Sequence, residues 1–492
     1  MEPTTEVSER TPLIRAVPNE STSAALADDE VLVATPFEEP LKHDAIYNRF
    51  SPTKKKVIVA LIAWSGLIPF FVSGTFIPSI PQIALDLHST GEIISYAVSI
   101  SIFAIGIGSL FWATHSSYYG RRPIYLIGLP LLVVGSTAVG LSNDIPHLMA
   151  WRFLQAFACS GGVSVGAAVI GDIYKLEERG GAMGIFFAAM LLGPALAPLA
   201  GGVAAHYASW RVMQYILAIA AAIDFVMMYF LFPETSHPRT RGIDKREFAE
   251  ESTKGMKYKI LNPFASLRLL RSPNLLAITM SGFAVLYSDF ALLTPLAYTI
   301  GARYGITNEA LIGLCFVPCG VGNCIGAPLG GRISDYVVAK RRKARGGVWC
   351  PEDRLRVTLV AAGLLAPLSV LAAGFITEYV SGTVGLVLNL ICLFINGLGV
   401  DMVLSPSASY IVDIMHDKSA ESMAVNNGFR SLIMAVAIAG VFPMIGAFGV
   451  AKTYTVVALL AWVGFGILWA TVRYGDRMRA WVDMGYSTAS SN

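Results

Sequence analysis

The sequence predicts an all-α polytopic membrane protein, with twelve transmembrane helices in two pseudo-symmetric six-helix bundles. Three observations lead there. Of 492 residues, 54% are hydrophobic and only 14% charged, with mean hydropathy +0.58, where a soluble domain carries about a quarter charged residues. The apolar residues gather into runs long enough to cross a bilayer core, which takes about 20 residues of helix. The basic residues fall on alternate loops between those runs. A formal net charge of +3 leaves no nucleic-acid footprint, so the expected surroundings are the lipid bilayer and no nucleic acid.

The chain starts with a polar tail, 1–53, rich in Glu, Ser, Thr and Pro and expected to be disordered. Its first residues, MEPTTEVSERTPLIRAVPNE, lack the basic start and apolar core of a signal peptide. Within the tail, ERTPLI at 9–14 has the acid-xxx-Leu-Ile form of an endosomal or vacuolar sorting signal; a chance match is the plain alternative. The first bundle, 54–232, holds runs at 57–80, 92–114, 122–141, 147–172, 181–205 and 210–232. A charged central loop, 233–273, follows. The second bundle, 274–473, holds runs at 274–300, 308–331, 356–376, 381–411, 421–447 and 452–473, before a tail at 474–492. Only helices satisfy the backbone in lipid over such lengths.

KKK at 54–56, GRR at 120–122, KLEER at 175–179, the basic stretch 239–271, KRRKAR at 340–345 and RYGDRMR at 473–479 share one side. The opposite loops carry Arg211, Arg303 and Lys452. Lys and Arg concentrate on cytoplasmic loops, so both termini are expected in the cytoplasm. The plasma membrane is the expected address, with the vacuolar or endosomal membrane as the alternative. The cysteines are Cys159, Cys315, Cys319, Cys324, Cys350 and Cys392, five of them inside apolar runs and none in a zinc-like spacing. They read as packing residues, with no metal, no cofactor and no structural disulfide expected.

The halves echo one another. ATHSSYYGRRP (113–123) follows the second run and GRISDYVVAKRRKAR (331–345) the eighth; the fourth run ends in GDIY (171–174) and the tenth in VDIM (412–415). Parallel repeats with a substrate site between them near the midplane are a transporter architecture.

The fifth run, GIFFAAMLLGPALAPLAGG (184–202), resembles the antiporter signature of the major facilitator superfamily. Gly184, Gly193, Pro198, Gly201 and Gly202 fall in place, while Ala197 stands where that family has glycine. Independently, small residues let helices approach closely, and Pro194 with Pro198 interrupt the hydrogen-bond ladder and allow bending. LMAWRFLQAF (148–157) is similar to the family's RxxQG motif through Arg152 and Gln155, with Ala156 replacing glycine. FPET (232–235) is a common ending of the sixth span in drug-antiporter-like members. The second-run loop matches the family's G-xxx-D-R-x-G-R-R hallmark at Gly120, Arg121 and Arg122, but Ala113, Ser117 and Tyr118 replace its glycine, acid and base. The eighth-run copy keeps Gly331 and Asp335. The resemblance spans about 57–473 and looks most like fungal twelve-span drug:proton antiporters; the sugar-porter signature is absent. It implies a monomer that carries a small organic substrate, with protons as coupling ion. In the family the loop acid helps latch the halves on the cytoplasmic side, with Asp172 in reach of the loop arginines. Ser117 in its place implies an asymmetric latch, weaker in the first half.

Ionisable side chains inside a span mark cavities or partners by default. Asp289 lies about 15 residues into the seventh run, roughly 22 Å along a helix. Asp401 lies about ten residues from the cytoplasmic end of the tenth, Arg152 in the outer part of the fourth, and Arg430 about ten residues into the eleventh. Asp289 and Asp401 are the candidate proton carriers; the plain alternative is a structural acid paired with Arg152 or Arg430. Arg152, Gln155, Tyr287, Asn396, Asn426 and Arg430 are the candidate substrate contacts, each with a helix-to-helix bond as its plain alternative. Asp224, in the sixth run, reads as blander because that helix usually lies outside the family's cavity.

The function expected is export of a drug-like compound or secondary metabolite by alternating access, through proton antiport. The alternatives are organic-acid export, since arginine clamps a carboxylate through paired hydrogen bonds, and a transporter-derived nutrient sensor. No His pair, Ser/Lys pair or GxGD-like motif in the runs suggests an enzyme, and no catalytic residue is assigned.

Overall fold

The computed structural model describes residues 47–175, 178–237, 241–244, 261–415 and 418–482, together with Tyr486. The ERTPLI stretch lies outside these. Twelve spans are present: the first to sixth are Pro52–Asp86, Gly91–Tyr119, Arg121–Gly140, Ile145–Ile173, Arg179–Tyr207 and Trp210–Leu231. The seventh to twelfth are Pro273–Gly301, Glu309–Ala344, Pro351–Tyr379, Gly382–Ile414, Glu421–Phe448 and Val450–Trp481. Several starts are set by polar caps. Ser51, Thr90, Asp144, Ser272 and Asn308 each accept a hydrogen bond from an amide in the first turn that follows.

Three differences from the sequence reading concern helix ends. The first span begins at Pro52, inside the stretch read as tail, and the last runs to Trp481, well past 473. The eighth continues to Ala344 instead of stopping near 331. Helices that leave the bilayer lose apolar periodicity while keeping backbone geometry, so hydropathy undercounts them.

Several spans are broken near a proline, which removes a donor; the eighth is interrupted at Phe316 before Pro318 and the eleventh at Gly440 before Pro443. A 3₁₀ turn, Ile77–Ser79, interrupts the first; the seventh ends in a π-turn, Ala297–Gly301, after Pro295; the ninth holds a π-turn, Ala361–Leu365, before Pro367.

The ends of the bundle differ. At the end away from the basic loops, one hydrophobic cluster joins first-half residues (Phe76, Ile80, Ile94, Trp210) to second-half residues (Leu292, Leu296, Ile312, Val441). Toward the basic end, the first-half cluster is built from residues 58–232 alone. The second-half cluster there takes in one first-half core residue, Leu110. The fifth and eighth spans show why. A Cβ on Gly202 would meet the Glu309 carbonyl at 2.3 Å, and one on Gly320 would meet Ala195 Cα at 2.3 Å. Further toward the basic end, Cys324 Sγ donates to the Leu191 carbonyl at 3.1 Å. Beyond it, Gly184 has nothing within 4 Å. Among the described residues, the fifth and eighth spans are packed at the end away from the basic loops and parted at Gly184, while the second and eleventh spans stay packed through Gly106, Leu110 and Gly428.

Candidate functional site

Asp289 and Asp401 come together in the second half, on the seventh and tenth spans. Asp289 is buried and accepts a hydrogen bond from Cys319 Sγ at 2.9 Å. Asp401 is half-buried and interacts electrostatically with Asp289 and Arg430. Neither acid is in ion-pair contact with an arginine among the described residues. Arg430 instead donates through Nη2 to Asn427 Oδ1 at 3.0 Å, and its Nε has no partner. It stands against the seventh span, with Nη1 3.6 Å from where a Cβ on Gly282 would be. Asp401 thus lies within electrostatic reach of Asp289 and Arg430, with no ion pair among the three in the described residues.

Arg152 and Gln155 form a separate group in the first half. Arg152 is 1% exposed, donates to the Val72 carbonyl at 3.1 Å and to Gln155 Oε1 at 2.8 Å, and lies 4.2 Å from the Phe76 ring centroid. Gln155 Nε2 reaches both Ser136 Oγ and Gln214 Oε1 at 2.9 Å. No carboxylate pairs with this guanidinium among the described residues, and its Nε is unsatisfied. A buried cation held by neutral acceptors keeps its charge available for an anionic group.

The remaining polar candidates make helix-to-helix bonds. Asn396 is fully buried and bonds Ser288 Oγ at 3.1 Å and Ser369 Oγ at 3.0 Å, tying the tenth span to the seventh and ninth. Asn426 accepts from Thr279 Oγ1 at 3.0 Å, and the Tyr287 hydroxyl donates to the Ala437 carbonyl at 3.3 Å. Phe186 is fully buried against Gly66 and Gly166.

The loop at 113–123 is organised by an acid the sequence reading did not assign. Glu234 accepts from the amides of Arg121 at 2.9 Å and Arg122 at 3.2 Å, capping the third span. Gly120, at φ +106°, has room for no side chain, since a Cβ would sit 2.4 Å from Glu234 Oε2. Arg121 pairs with Asp172 at 2.9 Å and with Ser116 Oγ at 2.7 Å; Arg122 donates to the Tyr229 carbonyl at 2.8 Å. Ser117 is exposed and donates to the Ala113 carbonyl of its own helix at 3.2 Å. Asp335 is also exposed and pairs with Arg354 at 2.6 Å.

In the fifth span, the expected close approaches occur at three of four glycines. A Cβ on Gly193 would meet Phe70 Cβ at 2.3 Å, one on Gly201 the Thr75 carbonyl at 2.2 Å, and Gly202 touches the eighth span. Gly184 departs from the expectation, because the helices have parted at that level. The helix runs unbroken through Pro194 and Pro198, the latter touching Gly313 through its carbonyl. Gly331 has only ordinary contact, with Ser405 Oγ at 3.7 Å.

The family model described as Major Facilitator Superfamily matches residues 62–438. The chain belongs to the Major Facilitator Superfamily. The family and the names of its relatives indicate a transporter rather than an enzyme. The chain is 26% identical to "Efflux pump radE" of Floropilus chiversii, over 95% of this chain and 92% of that one. It is 24% identical to "Citrate exporter 1" of Aspergillus niger, over 96% and 95%. A solved bacterial homolog of the human lysosomal transporter Spinster, in an inward-facing and unoccupied conformation, shares the superfamily fold at TM-score 0.61 and 12% identity, over 87% of this chain and 99% of that one.

The sequence reading named Cys319 as a packing residue and Glu234 as part of FPET, but gave neither its role in the site. Each acts on a residue 30 or more positions away, and only packing of separate spans reveals it.

Proposed function

We propose that this superfamily member exports a small organic compound across the membrane by alternating access, driven by inward proton flow through Asp289 and Asp401. One observation carries the reading: two acids lie in one bundle, electrostatically linked to each other and to Arg430, with no ion pair among them. Either acid can then take up a proton without first breaking a salt bridge. The excess of Lys and Arg makes the basic end the cytoplasmic one, so the parting of the fifth and eighth spans at Gly184 faces the cytoplasm in this reading. Substrate enters from the cytoplasm; opening outward exposes the acids, and protonation there favours release. Both termini lie in the cytoplasm, and the plasma membrane is the proposed location. The experiment is untargeted comparison of compounds exported by cells with and without the protein, repeated with Asp289→Asn and Asp401→Asn. Export indifferent both to these changes and to an imposed pH gradient rejects the coupling.

A second reading, organic-acid export, is favoured by Arg152 and Arg430, two arginines inside the bundle free of carboxylate partners among the described residues, and by the likeness to a protein named a citrate exporter. Loss of citrate export in Arg430→Ala, with efflux of a lipophilic cation intact, selects it.

A further inference from the structure

Asp224, on the sixth span, takes no part in the site above. It is fully buried, and its Oδ2 accepts a hydrogen bond from Ser65 Oγ of the first span at 2.5 Å. Its Oδ1 has no partner, and no basic side chain pairs with it among the described residues. Ser65 also lines a cavity of about 10 Å³, roughly the space of one water. The other walls are Tyr125 of the third span, Cys159 of the fourth and apolar or glycine positions. The Tyr125 hydroxyl is buried without a partner and feels both Asp224 and Arg121. The other charged group acting on this wall is Arg152, through Cys159. Asp224 lies seven residues before the end of its helix at Leu231, roughly 10 Å below the basic end. Tyr125 is one turn beyond Arg121, which is joined to Asp172 at that end.

We propose that Asp224 is a second proton-binding site, in the first half of the transporter, loaded from the basic end through Tyr125, a cavity water and the Ser65 hydroxyl. A carboxylate with one donor and no cation is unstable in a dry interior, so it takes up a proton or stays costly. The relay is balanced. Ser65 passes its hydroxyl proton to Asp224 Oδ2 and receives one from the water, which is replenished past Tyr125; reversing the hydrogen bonds unloads the site. The site stands on first-half geometry alone, so it does not depend on Asp289 or Asp401 coupling transport.

The test is infrared difference spectroscopy of the full-length protein in lipid nanodiscs, with the proton as ligand. One protonated-carboxyl band that grows as pH falls is expected to persist in Asp289→Asn and in Asp401→Asn, which each remove a different band, and to be the band missing from Asp224→Asn. Ser65→Ala should keep the band, shift its frequency and slow its hydrogen–deuterium exchange several-fold. Tyr125→Phe should slow exchange with little change in frequency. These two variants keep the test open if Asp224→Asn does not fold. A band set unaltered by Asp224→Asn overturns the proposal, and so does wild-type exchange in both Ser65→Ala and Tyr125→Phe.

Discussion

Arg354 Nε lies 2.7 Å from Asp413 Oδ2, joining the start of the ninth span to the end of the tenth. Its counterpart is the Arg121–Asp172 pair at 2.9 Å, between the start of the third span and the end of the fourth. The two aspartates are those of VDIM and GDIY, so the repeat seen as an echo in sequence recurs as the same contact in both halves. Arg354 differs in also holding exposed Asp335 through Nη1 at 2.6 Å.

Removing Arg354 should therefore cost more than removing its exposed partner. Arg354→Ala is expected to lower stability by about 1–3 kcal/mol, because it removes the one guanidinium that bonds both Asp413 and Asp335. Asp335→Asn should change it by no more than about 1 kcal/mol, as for surface pairs. Thermal unfolding of the detergent-solubilised variants decides this; equal melting temperatures would contradict it.

Gly120→Ala combines a positive φ with a Cβ that would collide with the Glu234 carboxylate. The expected loss is about 1–3 kcal/mol from strain alone, with Glu234 pushed off the two amides it caps. Ser117→Ala, at an exposed position bonded only within its own helix, is the control and should melt like the wild type. A Gly120→Ala protein as stable as this control would show that the turn relaxes freely.

Gly320→Val should wedge the fifth and eighth spans apart, because its Cβ would meet the Ala195 backbone. Spin labels at exposed Tyr207 and Tyr379, at the end away from the basic loops and on opposite halves, should report a population at longer separation. If the distance distribution matches that of the parent, the fifth–eighth contact does not control opening.

Cys350 lies between the eighth and ninth spans, half-buried, with its Sγ 3.3 Å from Glu352 Oε2. Burial first, then the nearby Glu352 charge, push the thiol up to about 11. The sign is that of a raised acid: below about pH 11 the thiol form dominates, and thiolate chemistry grows only as pH rises toward that value. Alkylation followed by mass spectrometry should find Cys350 slower than a free cysteine at pH 8, with a rate still climbing above pH 9. A plateau by pH 9 would contradict the burial.

Much of the fold was legible in the chain, because lipid forces every spanning segment to satisfy its own backbone and so to be a long apolar helix. The two-half repeat was legible for a related reason: the same loop must be built twice. The candidate site was legible one residue at a time. Asp289, Asp401, Arg152 and Arg430 stand out because charge inside an apolar run is rare.

What the sequence by itself determined is therefore the all-α class, the succession of spans and the handful of charges placed inside them. Only tertiary structure decided what each charge meets: Asp289 a thiol, Arg152 an aromatic face and an amide, Asp224 a serine, Gly120 the Glu234 carboxylate. The same holds for the fifth and eighth spans, packed along Gly202 and Gly320 and parted at Gly184. Periodicity fixes which residues lie in a helix, but partners come from other helices tens to hundreds of positions away. Those contacts exist only once the spans have packed.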